Sequence, residues 1–356
     1  MAVDDRTRLA VPFILRIALI GALAGAAYGY FAATAAGGSG LYGFERGLLT
    51  GAVIGGLLSS LNYFILEAPR RNGGVRRAPF LLHVALKSLI YLVVFLFGAW
   101  IGQRLLPVPG VGGFEVGLVD VLYFFAISFV VSFVLDLNSL IGQNVLLNFI
   151  SGRYFQPRVE QRVLLMIDMR SSTAAAERLG EVDFHRLLNR FIGDLTGPIV
   201  IWKGQIHKYV GDELIVTWPL AAGLKDARCL RACFGAVARL ADLGPVYERE
   251  FGLTASLRAA LHCGAVVVGE MGTIKKEIAL IGDTMNTTAR IVDACRDSGE
   301  LVLASAALLR QLTTMPPGVD ARPLGPIPLR GKKSPVELFA LKEAKASVVP
   351  NGADAF

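Results

Sequence analysis

At 356 residues the chain is long enough for two domains. A hydrophobic fraction of 53%, a charged fraction of 18% and a mean hydropathy of +0.52 exclude an ordinary soluble enzyme. The net charge of +7 lies largely in arginine-bearing loops that suit an anionic lipid surface, and no nucleic-acid motif accompanies it.

The apolar material is concentrated before Asn138, where four stretches reach the roughly 20 residues that a bilayer requires. They run over Leu9–Ala36, Gly47–Leu66, Pro79–Ile101 and Val116–Leu137. Arg6 and Arg8 precede the first stretch, Arg70, Arg71, Arg76 and Arg77 fill the second loop, and Arg153 and Arg158 follow the fourth. The first and third loops carry little more than Arg46 and Arg104. The positive-inside rule therefore predicts a multi-pass anchor with the N-terminus and the C-terminal domain in the cytoplasm. Ala33-Thr34-Ala35 resembles a signal-peptide cleavage site, but the apolar run is about twice a usual h-region, and Asp4 and Asp5 weaken the basic start.

Gly21, Gly25 and Gly29, then Gly47, Gly51, Gly55 and Ser59, repeat at four-residue spacing, so two helices can approach closely, within one chain before between two. Arg16, Glu67 and Asp136 fall near span ends, where snorkelling or a partner accounts for them. His83, Lys87 and Asp120 lie deeper and remain functional candidates. His83 is the only histidine before position 185, so no haem held between two histidines of one chain is expected. Ser139–Ile150 carries Ile141, Val145 and Phe149 at helical spacing and predicts a linker helix that Gly152 and Pro157 end.

The remainder alternates strand and helix patterns. Val163–Asp168 predicts a strand and Ser172–Leu195 an amphipathic helix. Gln205–Tyr209 and Leu214–Trp218 predict a hairpin whose turn relies on Gly211. A helix over Asp226–Leu243, a strand over Leu257–Glu270 broken at Gly264, and a strand over Glu277–Ile281 come next. Thr284–Cys295 predicts a helix, with Asp283 or Thr284 as its cap, and strands over Leu301–Ala304 and Val336–Leu341 close the domain. The opening order β-α-β-β-α-β is the ferredoxin-like split βαβ arrangement. Cys229, Cys233, Cys263 and Cys295 form no CxxC pair and read as small core residues.

Asp168 and Asp212 each end an apolar run at a turn, which presents two carboxylates at a sheet edge as for a divalent metal against phosphates. Asn286 and Arg290, at i, i+4, share one helix face.

Four segments in order, Ile167-Asp168-Met169 with Thr173, Lys208–Asp212, Gly282–Arg290, and Leu329–Lys332 followed by Val336–Ala340, resemble the class III nucleotidyl cyclases of the bacterial membrane-anchored type. The fold class expected is thus an α-helical four-span membrane anchor followed by an α+β ferredoxin-like cyclase catalytic domain. The resemblance implies two Mg²⁺ or Mn²⁺ per site, held by Asp168, Asp212 and the backbone carbonyl of Met169. It implies that Asn286 orients the ribose, that Arg290 stabilises charge on the α-phosphate, and that Lys208 recognises adenine. Arg330 or Lys332 falls where the family binds triphosphate. The partner of the adenine lysine, usually Asp or Thr, is Ala279 here, so ATP is preferred without its usual acceptor. Ser171-Ser172 replaces the usual Gly-Phe before Thr173. Because the family divides its site between subunits and this chain holds both halves, a homodimer is implied.

The expected divisions are an anchor at 1–138, a linker at 139–157, a catalytic domain at 158–343 and a tail at 344–356. The reading is an adenylate cyclase of the bacterial inner membrane that makes cAMP and pyrophosphate from ATP, with the lipid bilayer and a second copy as partners. A guanylate or relaxed-specificity cyclase is the alternative among enzymes, and a catalytically silent nucleotide-binding membrane receptor module is the alternative outside them.

Overall fold

The computed structural model describes residues 2–62, 79–105, 118–141, 151–274 and 276–343. The chain divides into two compact units, Met1–Ile141 and Gly142–Phe356. The arginine-rich second loop, most of the linker helix (142–150) and the tail lie outside the described residues.

The first unit holds helices α1 (Ala2–Ala35), α2 (Gly40–Leu61), α3 (Phe80–Leu105) and α4 (Leu118–Ile141). Among the described residues two segments are long and apolar enough to cross a bilayer, Ile14–Ala35 and Phe80–Gly102, whereas four spans were expected. Glycines and the Glu45-Arg46 pair dilute α2, and α4 carries Asp120 and Asp136. The boundaries shift as well: Arg46, expected in a loop, lies inside α2.

Helices α1 and α2 pack through their glycines. A Cβ added at Gly21 would stand 2.5 Å from the Gly51 carbonyl oxygen; one at Gly25 or Gly29 would strike the carbonyl of Gly47 or Gly43. The stripe therefore joins two helices of one chain, as its spacing suggested. Between α3 and α4, Lys87 Nζ lies 2.7 Å from Asp136 Oδ1, with the lysine 1% exposed. The candidate Lys87 thereby resolves into an ion pair, and Asp136 has the partner that its place near a span end suggested. The Nδ1 of His83 and the Oγ of Ser132, each one turn away from a member of that pair, are buried and make no hydrogen bond among the described residues. Asp120 lies in α4.

The second unit is a sheet with helices packed on it. Its strands are β1 (Arg158–Met169), β2 (Gln205–Val210), β3 (Glu213–Pro219), β4 (Leu257–Met271), β5 (Glu277–Ile281), β6 (Val302–Ser305), β7 (Val319–Ile327) and β8 (Val336–Glu343). The order is β2-β3-β1-β4-β6-β8-β7, with β5 paired to β4. The run β2-β3-β1-β4 is antiparallel throughout, the split βαβ arrangement read from the sequence. Its helices are α5 (Ser172–Leu179), α6 (Glu181–Ile201), α7 (Leu220–Leu224), α8 (Arg228–Asp242), α9 (Gly244–Phe251), α10 (Asp283–Ser298) and α11 (Ala306–Leu309).

Several local expectations are corrected. The helix foreseen over Ser172–Leu195 is two, divided at Gly180, whose φ of +76° a helix cannot continue. The helix foreseen from Asp226 opens with a 3₁₀ turn at Lys225–Ala227. Strand β4 passes Gly264 unbroken, because a Cβ there would press on Thr284 Oγ1 at 2.7 Å: the glycine makes room for a helix rather than a break. Strand β7, whose sequence gave no signal, closes the sheet.

The glycine contacts predict that Gly25→Ala or Gly47→Ala destabilises the anchor by about 1–3 kcal/mol or more, while Gly56→Ala, where the nearest atom is 3.9 Å away, is close to neutral. Thermal unfolding of the detergent-solubilised protein checks the contrast.

Candidate active site

Strand β1 sets the first half of the site. Val163, Leu164, Leu165 and Ile167 are fully buried, so the strand is fixed up to the residue before Asp168. Pairing of Ile167 with Leu214 on β3 brings the β2–β3 turn alongside, where Gly211 takes a φ of +62° and Asp212 follows. The two carboxylates meet in a cleft of about 380 Å³, lined by Asp168, Met169, Ser171, Ser172, Thr173, Asp212, Arg258 and Arg296. Met169 lines it although the residue is 2% exposed, because its side chain belongs to the core beneath. Ser171 adopts a φ of +58°, a conformation that costs a non-glycine residue about 1–2 kcal/mol and that the family's usual glycine would take freely.

Burial, and then the charge and hydrogen bond of Asp212, push the Asp168 carboxyl up to about 6, with Arg258 and Arg296 opposing the rise. Glu213 is also held up, by burial and by Asp168, Asp212 and Asp293. Two carboxylates pressed together in a polar cleft fit a divalent cation that takes one or two carboxylates and completes its shell with water and phosphate oxygens. No cluster of three or more His, Cys, Asp or Glu of metal-binding type occurs among the described residues.

Arg258 and Arg296 were not foreseen. Arg258 faces Asp168 across the β1–β4 ladder, with Nη1 3.5 Å from Asp168 Oδ2. The available signal was a charge beginning an otherwise apolar strand.

Helix α10 sets the second half. Thr284, Thr287, Thr288 and Ile291 are buried, which turns Asn286 to the exposed side and leaves Arg290 half-buried. The cap expected of Asp283 or Thr284 is absent. Gly282, with a φ of +147°, occupies the N-cap, and Thr284 Oγ1 donates instead to the Ala265 carbonyl at 2.6 Å. Asp283 accepts from Lys332 Nζ and Thr287 Oγ1. Gly331, with a φ of +71°, lies against the Arg290 guanidinium, 3.3 Å from Nη2 to its ideal Cβ. Of the two candidate triphosphate cations, Lys332 is thus joined to the start of α10, whereas Arg330 is exposed. His262, hydrogen-bonded to Ser305 Oγ at 2.7 Å, is held down to about 4 by burial and by Lys332.

Lys208 lies on β2 just past a register shift relative to β3, a bulge of the kind that re-aims a side chain. Its Nζ is 3.0 and 3.3 Å from the two carboxylate oxygens of Glu277 on β5. Ala279, also on β5, is 8% exposed. None of Lys208, Asn286, Arg290, Arg330 or Lys332 lines the aspartate cleft.

Residues 156–343 match the family model described as the adenylate and guanylate cyclase catalytic domain. The chain belongs to this family. Among curated relatives of these cyclases, adenylate cyclase 2 of Rhizobium meliloti (strain 1021) is 36% identical over 226 residues, 64% of this chain and 62% of its own length. The adenylate cyclase of Anabaena cylindrica is 24% identical over 184 residues, 50% of this chain. The chain spans less than two thirds of these relatives, 62% and 36% respectively. A solved bacterial light-regulated adenylyl cyclase matches the cyclase fold with a TM-score of 0.55 at 18% identity, over 65% of this chain and 67% of that one.

The carboxylate pair generates a pH prediction. A carboxyl whose folded pKa is raised destabilises the fold when ionised; this penalty is absent below the unfolded value near 3.8, grows with pH and is complete above about 6. Without divalent metal, Asp212→Asn should stabilise the protein at pH 8 by up to about 1 kcal/mol, because burial of Asp168 remains, and the gain should vanish near pH 4. Melting temperatures in chelator at both pH values check this.

Proposed function

We propose that the chain is a membrane-anchored adenylate cyclase that converts ATP to 3′,5′-cyclic AMP and pyrophosphate in a homodimer with shared sites. The observation that carries the reading is the division of the site. Asp168 and Asp212 line one cleft, and the groups suited to base, ribose and α-phosphate stand outside it on β2 and α10. A second copy of the chain would complete each cleft with its own Lys208, Asn286 and Arg290.

The surface supports such a pairing. Val267 and Ile281 face each other across the β4–β5 ladder, and both are exposed, as are Met271 on the same face and Tyr209 and Val210 on β2. An apolar face of this kind is costly on a monomer and suits burial against a partner.

In the proposed reaction the ribose 3′-hydroxyl attacks the α-phosphate in line and pyrophosphate leaves. Two Mg²⁺ or Mn²⁺, when bound, lower the hydroxyl's pKa and neutralise phosphate charge. Asp168, Asp212 and the Met169 carbonyl would hold them. Asn286 would orient the ribose, and the planar, permanently charged Arg290 would meet charge growing on the α-phosphate. Arg258 and Arg296 add fixed positive charge beside the carboxylates, and Lys332 is the better-placed triphosphate cation of the second half. Lys208 would donate to adenine N1. A guanylate or relaxed-specificity cyclase is the alternative that Ala279 keeps open. A catalytically silent module is disfavoured because all four of Asp168, Asp212, Asn286 and Arg290 are present.

The N-terminal unit is read as an anchor in a bacterial inner membrane with the enzyme in the cytoplasm. Its support is the pair of qualifying helices and the arginine distribution along the chain.

Purified full-length protein given ATP and GTP separately, with cyclic products quantified, tests the reading: cAMP should dominate. Asp212→Ala should lower turnover at least about a hundredfold with either metal; substantial residual activity would refute the metal assignment. An Asp168→Ala chain mixed with an Asn286→Ala chain should regain activity that neither has alone, and failure to do so refutes the shared site.

A further inference from the structure

We infer that Glu277 is the acceptor that reads the adenine amino group beside Lys208, doing from β5 what Ala279 cannot. The inference rests on the adenylate cyclase reading above and names the residue that gives that site its base preference. Adenine offers an acceptor at N1 and a donor at its 6-amino group, so a selective site must set a donor and an acceptor side by side. Lys208 supplies the donor. The methyl of Ala279 accepts nothing, but the carboxylate of Glu277 lies 3.0 Å from Lys208 Nζ.

The geometry favours a binding role over an incidental surface pair. Residues 277 and 279 share one face of β5, about 6.6 Å apart along the strand. On the opposite face, Ile278 and Leu280 pack against the core formed with Val266 and Val268. The carboxylate therefore projects from the other face, which it shares with the buried Ala279 and the exposed Ile281. Lys208 reaches it from β2, a strand that does not pair with β5, next to the bulge at Ile206/Lys208. Both side chains remain accessible, at 49% and 35% exposed, so a base can reach them. An exposed ion pair of this sort adds little to stability, and the fold gains little by bridging two unpaired strands there. Guanine would need the same two charges in the reverse order, with the cation at O6 and the carboxylate at N1 and N2.

The test compares wild type, Glu277→Ala and Glu277→Gln on ATP, on purine riboside 5′-triphosphate, which lacks the 6-amino group, and on GTP. Lys276→Ala, a neighbouring charge paired with Glu270, controls for general charge loss. Glu277→Ala should lose about ten- to a hundredfold in kcat/KM on ATP, chiefly through KM, and Glu277→Gln, whose amide oxygen still accepts, should lose less. Their loss on the analogue should stay within about threefold, because the group that Glu277 recognises is missing there. Equal losses on ATP and the analogue would make Glu277 a support for Lys208 and overturn the inference, as would no loss on ATP or a loss confined to GTP. Wild-type turnover of GTP without ATP overturns the adenylate cyclase reading and the inference together. Wild-type activity on ATP with equal losses overturns the inference alone.

Discussion

The burial of β1 on both faces is the constraint from which the rest of the catalytic unit follows. Val163, Leu165, Ile167 and Met169 point into the core beneath the helices α6 and α8, while Leu164 and Met166 point into the opposite layer. Each such side chain contributes about 1.5–3 kcal/mol when fully buried, so the strand's register is not negotiable. Asp168 is therefore delivered to one place, the end of a central strand, where its carboxylate is partly stripped of water. The same ladder fixes Leu214 opposite Ile167 and so sets where the β2–β3 turn arrives with Asp212.

Packing thus imposes an electrostatic cost that the fold would otherwise avoid. Two carboxylates share one cleft, and Arg258 and Arg296 together do not offset burial and the carboxylates' repulsion, since Asp168 remains raised. Ser171 adds backbone strain at the lip of the same cleft. Strain and like charge gathered at one spot, inside a unit whose core is otherwise well buried, mark a candidate functional site. A structural ion-pair network would have balanced its charges.

The sequence was most legible where local pattern and fold agree. The apolar run before Asp168, the glycine turn before Asp212 and the i, i+4 spacing of Asn286 and Arg290 all mark real elements. Strand β7 was invisible because Pro323 and Pro326 argue against a strand; it survives as the last strand at one edge, with a register shift at Pro323/Gly325. The break at Gly180 was hidden because the amphipathic pattern continues across it. Arg258 was missed because its role depends on cross-strand register, which no single segment contains. The same is true of Glu277, whose partner lies 69 residues away. In the first unit, the glycine spacing was readable, but hydropathy alone overcounted the helices that qualify as spans.

One element ties these pieces together. Lys208 and Asp212 are four residues apart on the β2–β3 hairpin, at most about 14 Å along the chain. On the shared-site reading they serve different catalytic centres, Lys208 holding the base in one and Asp212 holding metal in the other. The hairpin between them is short and hydrogen-bonded through Val210–Glu213 and Tyr209–Leu214, so it moves as a unit. On the same reading, a base seated against Lys208 would restrict the hairpin that also carries Asp212. On that reading any free-energy coupling between the two is reciprocal: the factor by which metal in one centre changes base binding in the other is the factor by which base changes metal binding. A dimer built this way need not transmit a signal through a long chain of contacts, because a single turn of backbone already belongs to both sites.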